Sequence, residues 1–301
     1  MTISGAGNPT SYFSTPSTEL DPQLFQGRQL RDWVRTGIVS MLQDYLHQKF
    51  RHSELWAHPW LAGSGVSYQW SAARQPGDLD CLVGVNFTQF RQANPEYRGL
   101  TDKQVSAEIN EGFRADLQPQ TENWNGYELT FYVNPTGTDI RNIKPYAAYD
   151  LKYNEWTVTP DPTQTPPVKP EWDAVVDNDY DLSSKVHVRF TAALSDLQDT
   201  RNGASQRNAE ARLTAAAQQG NALYEEIHGN RALAFSSTGE GYNDFNNYRW
   251  QAGKRTGAVD TLRAIRKYSD DMTKTRQAAT YGVELPDTDT LIRRAALYRA
   301  K

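Results

Sequence analysis

Five prolines within eleven residues divide this chain and limit what either part can fold into. They are Pro160, Pro162, Pro166, Pro167 and Pro170. Proline fixes its own φ angle and has no backbone N–H, so this segment cannot form a helix or an inner strand. We therefore predict a stiff surface connection over 160–173, with separately folded parts over 19–159 and 174–301.

The N-terminal part carries both helix and strand patterns. Apolar residues recur at three- and four-residue spacing over 29–50, which predicts a helix. Thr101 followed by Gln104 is a capping box that predicts the start of a second helix. Short apolar runs or alternation predict strands over 78–85 and 127–133, and one strand or a hairpin over 146–158.

The C-terminal part is predicted to be helical. Ala- and Gln-rich sequence over 191–228 favours helix, a further helix fits 244–277, and Asp287 suits the N-cap of a short last one. Residues 1–18 are mostly Ser, Thr, Gly and Pro, which predicts a flexible tail. The predicted fold class is α+β, a mixed sheet with flanking helices followed by an α-helical C-terminal domain.

The composition of the 301 residues excludes several classes of protein. Hydrophobic residues make up 38% and charged residues 23%, as in a globular chain with a real core. No apolar run approaches the ~20 residues that span a bilayer, and no signal-peptide layout is seen, so we expect a cytoplasmic protein without a membrane partner. One cysteine, Cys81, excludes an internal disulfide framework. The net charge of −4 means that any polyanion site must be a local patch.

The stretch most informative about function joins a small-residue turn to a pair of acids. Gly63 and Ser64 lie in the turn, and after thirteen intervening residues Asp78 and Asp80 follow in a strand pattern. Strand alternation puts both carboxylates on one face, where like charges repel unless a cation is present, and Mg²⁺ prefers carboxylate oxygens. The turn offers N–H groups and a hydroxyl that suit phosphate oxygens. The plainer interpretation of the two acids is a solvated strand end.

These residues resemble the DNA polymerase β nucleotidyltransferase superfamily, in which a Gly-Ser turn shortly precedes an Asp-x-Asp strand. The resemblance covers roughly 28–158 and rests on Gly63, Ser64, Asp78 and Asp80. It implies a nucleotidyltransferase-like mixed sheet and two Mg²⁺ ions held by the two aspartates. It also implies transfer of a nucleotidyl group from a nucleoside triphosphate, such as ATP, to a hydroxyl of an RNA, a nucleotide or a protein.

The superfamily also uses a third carboxylate on a neighbouring strand, and two residues of this chain could supply it. Glu128 and Asp150 both lie between apolar neighbours in strand patterns, and Glu128 has the cleaner polar face. Either would be catalytic, and Glu128 would join Asp78 and Asp80 as a metal ligand. If neither lies near Asp80, the alternative is a catalytically inactive member of the superfamily that binds nucleotide or RNA.

The segment 247–277 is positively charged, whereas the chain as a whole is negatively charged. It holds eight basic residues against three acidic ones, a local charge of +5. By resemblance to similar enzymes, in which basic residues of the helical domain neutralise the triphosphate, Lys254 and Arg255 are candidates for nucleotide binding. The alternative is a solvated helix face.

Overall fold

The computed structural model describes residues 11–72, 77–134, 137–199 and 203–300. By the density of its contacts the chain divides into two units. The sheet unit comprises the described parts of 13–165, 235–241 and 286–301. The helical unit comprises the described parts of 166–234 and 242–285, together with Ser11 and Tyr12.

The strands form a small ribbon and one five-stranded mixed sheet. Their bounds are β1 Phe25–Gln26, β2 Gln29–Leu30, β3 Ala57–Ala62, β4 Gly77–Val85, β5 Tyr127–Val133, β6 Ala148–Asp150 and β7 Glu155–Val158. The ribbon pairs β1 with β2, and the sheet has the order β5-β4-β3-β6-β7. Within the sheet β4 and β5 run parallel and the other neighbours antiparallel. The predicted strands are confirmed, and 146–158 is a hairpin.

Ten helices are described. They are α1 Asp32–Lys49, α2 Ser53–Trp56, α3 Phe87–Ala93, α4 Asp102–Gly112, α5 Gln118–Thr121, α6 Pro170–Asp199, α7 Gly203–Ala234, α8 Phe245–Thr256, α9 Ala258–Tyr281 and α10 Thr288–Arg299. A π-helical turn at Phe113–Leu117 joins α4 to α5. None of the helices in the described ranges combines the length and apolarity that crossing a membrane requires.

Helices cover one face of the sheet and form the main core with it. Along β4 and β5 the residues pointing to this face are buried, and Leu79, Cys81 and Leu129 are fully buried. Val34 and Ile38 of helix α1 belong to the same buried cluster. Burial also raises the pKa of the Cys81 thiol, which therefore stays protonated and behaves as a small apolar side chain. The alternating burial of β5 confirms the pattern expected from its sequence.

The opposite face of the sheet is apolar in its middle and polar near the start of β4. A smaller apolar cluster covers its middle and includes Trp60, Leu82 and Ile140. Near the start of β4, the same face carries Asp78 and Asp80, which are partly exposed. Because side chains of a strand alternate between faces, the aspartates and Leu82 point to the same side. The polar part of this face is the place to look for a site.

The helical unit packs α6, α7, α8 and α9 around two apolar clusters. One includes Val186, Phe190 and Ile265, and the other is built around Trp250 and Leu262. Residues 159–169 form neither helix nor strand, and α6 begins at Pro170, where a missing N–H costs nothing.

Three details refine the sequence predictions at the ends of elements. The helix predicted over 29–50 begins only at Asp32, because Gln29 and Leu30 pair with β1. The single helix predicted over 244–277 is wrong, because Gly257 adopts φ +82° and ends α8. Of the predicted tail, residues 1–10 lie outside the described part of the chain, and Ser11–Phe13 form a 3-10 turn. The capping box at Thr101 and the cap at Asp287 are confirmed.

Candidate functional site

A tight turn at the end of β3 forms one side of the candidate site. Gly63 has φ +92° and ψ −160°, a conformation that is open almost only to glycine. Its N–H donates to the carbonyl oxygen of Ala147 at 3.1 Å. Ser64–Val66 then form a 3-10 turn, and the N–H and hydroxyl of Ser67 both donate to the carbonyl oxygen of Ser64, at 3.1 and 3.0 Å. The position of the turn is therefore fixed by backbone hydrogen bonds.

The same turn lies directly against the acidic part of β4. A Cβ atom at Gly63 would lie 3.1 Å from Oδ2 of Asp80. A Cβ atom at Gly65 would overlap the backbone oxygen of Asp78 and lie 2.9 Å from Cδ2 of Leu79. The absence of side chains at these two positions is what allows the turn and the strand to approach. The Asp80 carboxylate consequently lies beside the backbone of Gly63.

Glu128 lies next to the two aspartates on the neighbouring strand. Strand β5 pairs with β4 in parallel, with Glu128 opposite Asp78 and Thr130 opposite Asp80. Paired strands are about 4.8 Å apart, and residues in register point to the same face. All four side chains are partly exposed, whereas the intervening Leu79 is buried. The sheet thus gathers three carboxylates and a hydroxyl on one face, at the ends where β4 and β5 begin.

The structure places Asp150 away from this group. Asp150 lies on β6 and pairs with Trp60 of β3. Asp80 lies on β4, on the other side of β3, and pairs with Ala62. Two strand spacings therefore separate β6 from β4, a distance of about 10 Å. Of the two candidates for a third carboxylate, Glu128 is the one beside Asp78.

The Asp150 carboxylate is also fully engaged by its own neighbours. Its Oδ2 lies 2.6 Å from Nε2 of His58, and its Oδ1 accepts hydrogen bonds from the N–H groups of Lys152 and Tyr153 at 2.8 Å each. Burial alone would raise the pKa of Asp150, but the hydrogen bonds of its charged form outweigh burial and lower it. The His58 ring stacks on Trp60 at 4.2 Å. These contacts occupy both oxygens of the Asp150 carboxylate.

Two residues near these sites were not found from the sequence. Thr130 could have been found, because the alternation that exposes Glu128 also exposes the residue two positions on. The pairing of His58 with Asp150 had no sequence signal, because the two residues are 92 positions apart.

The acidic group has the donor chemistry that a hard divalent cation requires. Asp78, Asp80 and Glu128 offer only carboxylate oxygens, which Mg²⁺ prefers to nitrogen or sulfur. In the described ranges no three side chains of His, Cys, Asp or Glu converge closely enough to be ion ligands as they stand. The three carboxylates suit Mg²⁺ by donor type alone.

Lys254 and Arg255 lie in the last turn of α8, in the helical unit. Lys254 places its Nζ atom 6.0 Å from the centre of the Trp250 ring, and Arg255 is exposed. Their contact with a triphosphate stays a prediction from the sequence.

The arrangement around Asp80 combines two kinds of chemistry in one place. A glycine-rich backbone turn can approach phosphate oxygens closely, and a carboxylate group can hold the cations that accompany a polyphosphate. The turn directly follows β3 and the carboxylates lie on β4 and β5, so the sheet sets their relative position. No family model, no curated protein and no solved structure matches this chain.

Proposed function

We propose that this protein is a Mg²⁺-dependent nucleotidyltransferase that moves a nucleotidyl group from a nucleoside triphosphate to an acceptor hydroxyl. One observation carries the proposal. The Gly63–Ser64 turn packs against the Asp80 carboxylate while Glu128 lies in register beside Asp78. Phosphate-binding backbone and cation-binding carboxylates are thereby held side by side, which nucleotidyl transfer needs and a merely solvated strand end does not.

The residues of the chain have distinct tasks in this proposal. The N–H groups of the turn and the Ser64 hydroxyl bind the β and γ phosphates, because small residues let the backbone approach them. Asp78, Asp80 and Glu128 hold two Mg²⁺ ions, which would supply acidification of the acceptor hydroxyl and stabilisation of the pyrophosphate leaving group. Thr130 can donate a hydrogen bond to the Asp80 carboxylate or to the nucleotide.

The proposal is tested by incubating the full chain with each α-labelled nucleoside triphosphate, Mg²⁺ and a set of hydroxyl acceptors. We expect pyrophosphate release with the label transferred to product, and loss of both in Asp78→Asn with Asp80→Asn. Asp44→Asn, an exposed acid on α1, is the matched control and should keep full activity. Nucleotide binding without pyrophosphate release, for all four nucleotides and every acceptor, would favour a binding module and overturn the proposal.

A further inference from the structure

The sheet unit contains a surface cavity that the proposed transfer reaction does not use. Its volume is about 420 Å³, within the range of about 300–1,000 Å³ that small-molecule sites occupy. The start of α1, the turn before β1 and the loop before β5 form its walls, through Pro22, Gln23, Arg31, Trp33 and Asn125. The cavity therefore has the size of a small-molecule site and residues of its own.

Trp33 contributes an exposed aromatic ring to this cavity. The residue is 45% exposed, and its ring centre lies 5.4 Å from that of Trp124, with 36° between the two planes. Trp124 is itself packed closely on α1, because a Cβ atom at Gly37 would lie only 2.8 Å from its Cζ2 atom. A large ring that is supported by a second ring and remains exposed suits stacking against a planar ligand.

The polar side chains of the cavity have N–H groups that no described residue accepts from. Arg31 donates from Nε to the carbonyl oxygen of Pro22 at 3.0 Å, and both of its terminal amino groups remain available. Oε1 of Gln23 lies 3.3 Å from the hydroxyl of Tyr127, and the amino group of this side chain is available as well. The side-chain amide of Asn125 is exposed. The cavity thus offers mainly hydrogen-bond donors beside an aromatic ring.

The carboxylates next to these donors in sequence do not occupy them. Asp21 is 5% exposed, and its oxygens accept from the hydroxyl of Tyr127 at 2.7 Å and from the N–H of Gln23 at 2.9 Å. Asp32 is exposed and forms no ion pair with Arg31 in the described structure. A neutral ligand that accepts hydrogen bonds therefore fits the cavity without any local excess of positive charge.

Backbone hydrogen bonds fix the two segments that carry the donors. The N–H of Arg31 donates to the carbonyl oxygen of Leu24 at 2.9 Å. In the loop before β5, Trp124 and Tyr127 exchange two backbone hydrogen bonds, at 2.6 and 3.0 Å. Between them Asn125 has φ +52°, a left-handed conformation that Asn adopts more readily than most residues. The cavity is therefore largely formed before a ligand enters, which lowers the cost of binding.

From this geometry we propose that the cavity binds the base of a 6-oxopurine nucleoside, the class that includes inosine and guanosine. The base stacks on Trp33, and its O6 and N7 atoms accept hydrogen bonds from the two terminal amino groups of Arg31. Adenine carries an amino donor in place of O6, which a wall of donors disfavours. The binding does not rest on the proposed transfer reaction, because none of the cavity residues belongs to the acidic group or to the Gly63–Ser64 turn.

The test compares inosine with adenosine by titration calorimetry of the full chain, without Mg²⁺. The two nucleosides carry an oxygen and an amino group, respectively, at the same ring position, and neither has a phosphate. Trp33→Ala removes the ring, Trp33→Phe keeps a smaller one, and Arg31→Lys keeps the charge but loses the paired donors. Tyr153→Ala is the control, because Tyr153 is another exposed aromatic residue of the sheet unit, at 64%. Circular dichroism checks that each variant remains folded.

We expect the parent chain to bind inosine with a Kd of about 0.1–1 mM and adenosine about tenfold more weakly. Trp33→Ala should weaken inosine binding about tenfold, and Trp33→Phe should recover most of that loss. Arg31→Lys should remove the preference for inosine over adenosine. Tyr153→Ala, and the chain carrying Asp78→Asn and Asp80→Asn, should bind inosine as the parent chain does.

Three results would overturn the proposal. They are no binding of inosine at about 5 mM, equal affinity of the parent chain for inosine and adenosine, and unchanged inosine binding by Trp33→Ala. Displacement of inosine by an equal concentration of glucose would also overturn it, because the cavity would then be a sugar site. Loss of inosine binding in the Asp78→Asn and Asp80→Asn chain would place the nucleoside at the acidic group instead.

Discussion

At the scale of single residues, the role of each carboxylate follows from what lies within hydrogen-bonding reach of it. Asp150 is 4% exposed, and both of its oxygens are used by His58 and by two backbone N–H groups. Asp78, Asp80 and Glu128 share a partly exposed face instead. A buried and satisfied carboxylate stabilises the fold, whereas a group of partly exposed carboxylates is costly without a cation.

The first prediction concerns Asp80. Replacing it with Asn removes a metal-binding charge while keeping the shape, and it also removes repulsion from Asp78. We expect Asp80→Asn to abolish nucleotidyl transfer and to leave the melting temperature unchanged or slightly raised. Turnover assays and thermal unfolding are run together with the Asp44→Asn control. A sharply lowered melting temperature would show that Asp80 stabilises the fold instead.

The second prediction separates Glu128 from Asp150. Glu128→Gln should abolish transfer with little effect on unfolding, because its side chain is partly exposed on the acidic face. Asp150→Asn should lower the free energy of unfolding by about 1–3 kcal/mol, since it weakens the hydrogen bond of a buried group to His58. Urea unfolding and turnover of both variants check this. Loss of activity in folded Asp150→Asn, with activity kept in Glu128→Gln, would reverse the assignment.

A third prediction follows from the lowered pKa of Asp150. Because its pKa in the folded state lies below the ordinary value of 3.8, the charged carboxylate stabilises the fold at higher pH. The stabilisation is complete above the ordinary pKa and is lost as the pH falls through the folded-state value. The difference in unfolding free energy between the parent chain and Asp150→Asn should be constant from pH 7 to about 4 and should shrink below that. A difference that shrinks above about pH 5 would contradict this explanation.

At the scale of elements, the fourth prediction concerns the Gly-Ser turn. Gly63→Ala forces a side chain into a conformation with φ +92° and places its Cβ 3.1 Å from the Asp80 carboxylate. We expect a cost of about 1–3 kcal/mol in unfolding free energy and a large loss of transfer activity. Gly99→Ala is the matched control, because Gly99 has open space around it and no positive φ angle. Comparable losses in both variants would mean that the turn has no special role.

Sequence patterns predicted the elements that local physical chemistry determines. The capping box of α4 and the alternation of β5 depend on residues a few positions apart, and both are confirmed. The choice between Glu128 and Asp150 could not be made from the sequence, because it depends on register between strands about 50 and 90 residues apart in the chain. The break at Gly257 was missed because a glycine within a helical pattern is often tolerated. Local sequence signals thus predict individual helices and strands. Which residues share the candidate site depends on how the strands pair.

At the scale of the whole molecule, the chain leaves the sheet unit and returns to it. Residues 286–300 cluster with the sheet unit, although α6 to α9 separate them from it in sequence. Helix α10 packs against α4, where Arg293 lies 2.5 Å from Glu111 and 3.3 Å from Glu108. Leu297 of α10 also contacts the main core. The stability of the sheet unit therefore depends on the end of the chain.

The fifth prediction tests this dependence with two neighbouring arginines of α10. Arg293 is 5% exposed and bridges two glutamates of α4, whereas the side chain of Arg294 is 58% exposed and meets Glu111 alone. Arg293→Ala should lower the free energy of unfolding by about 1–3 kcal/mol, because it removes a buried ion-pair partner. Arg294→Ala should lower it by less than about 1 kcal/mol, because solvent screens its ion pair. Hydrogen exchange should accelerate over 102–121 in Arg293→Ala, with α6 unaffected. Faster exchange throughout α6 as well, or equal effects of the two substitutions, would show that α10 does not stabilise the sheet unit through α4.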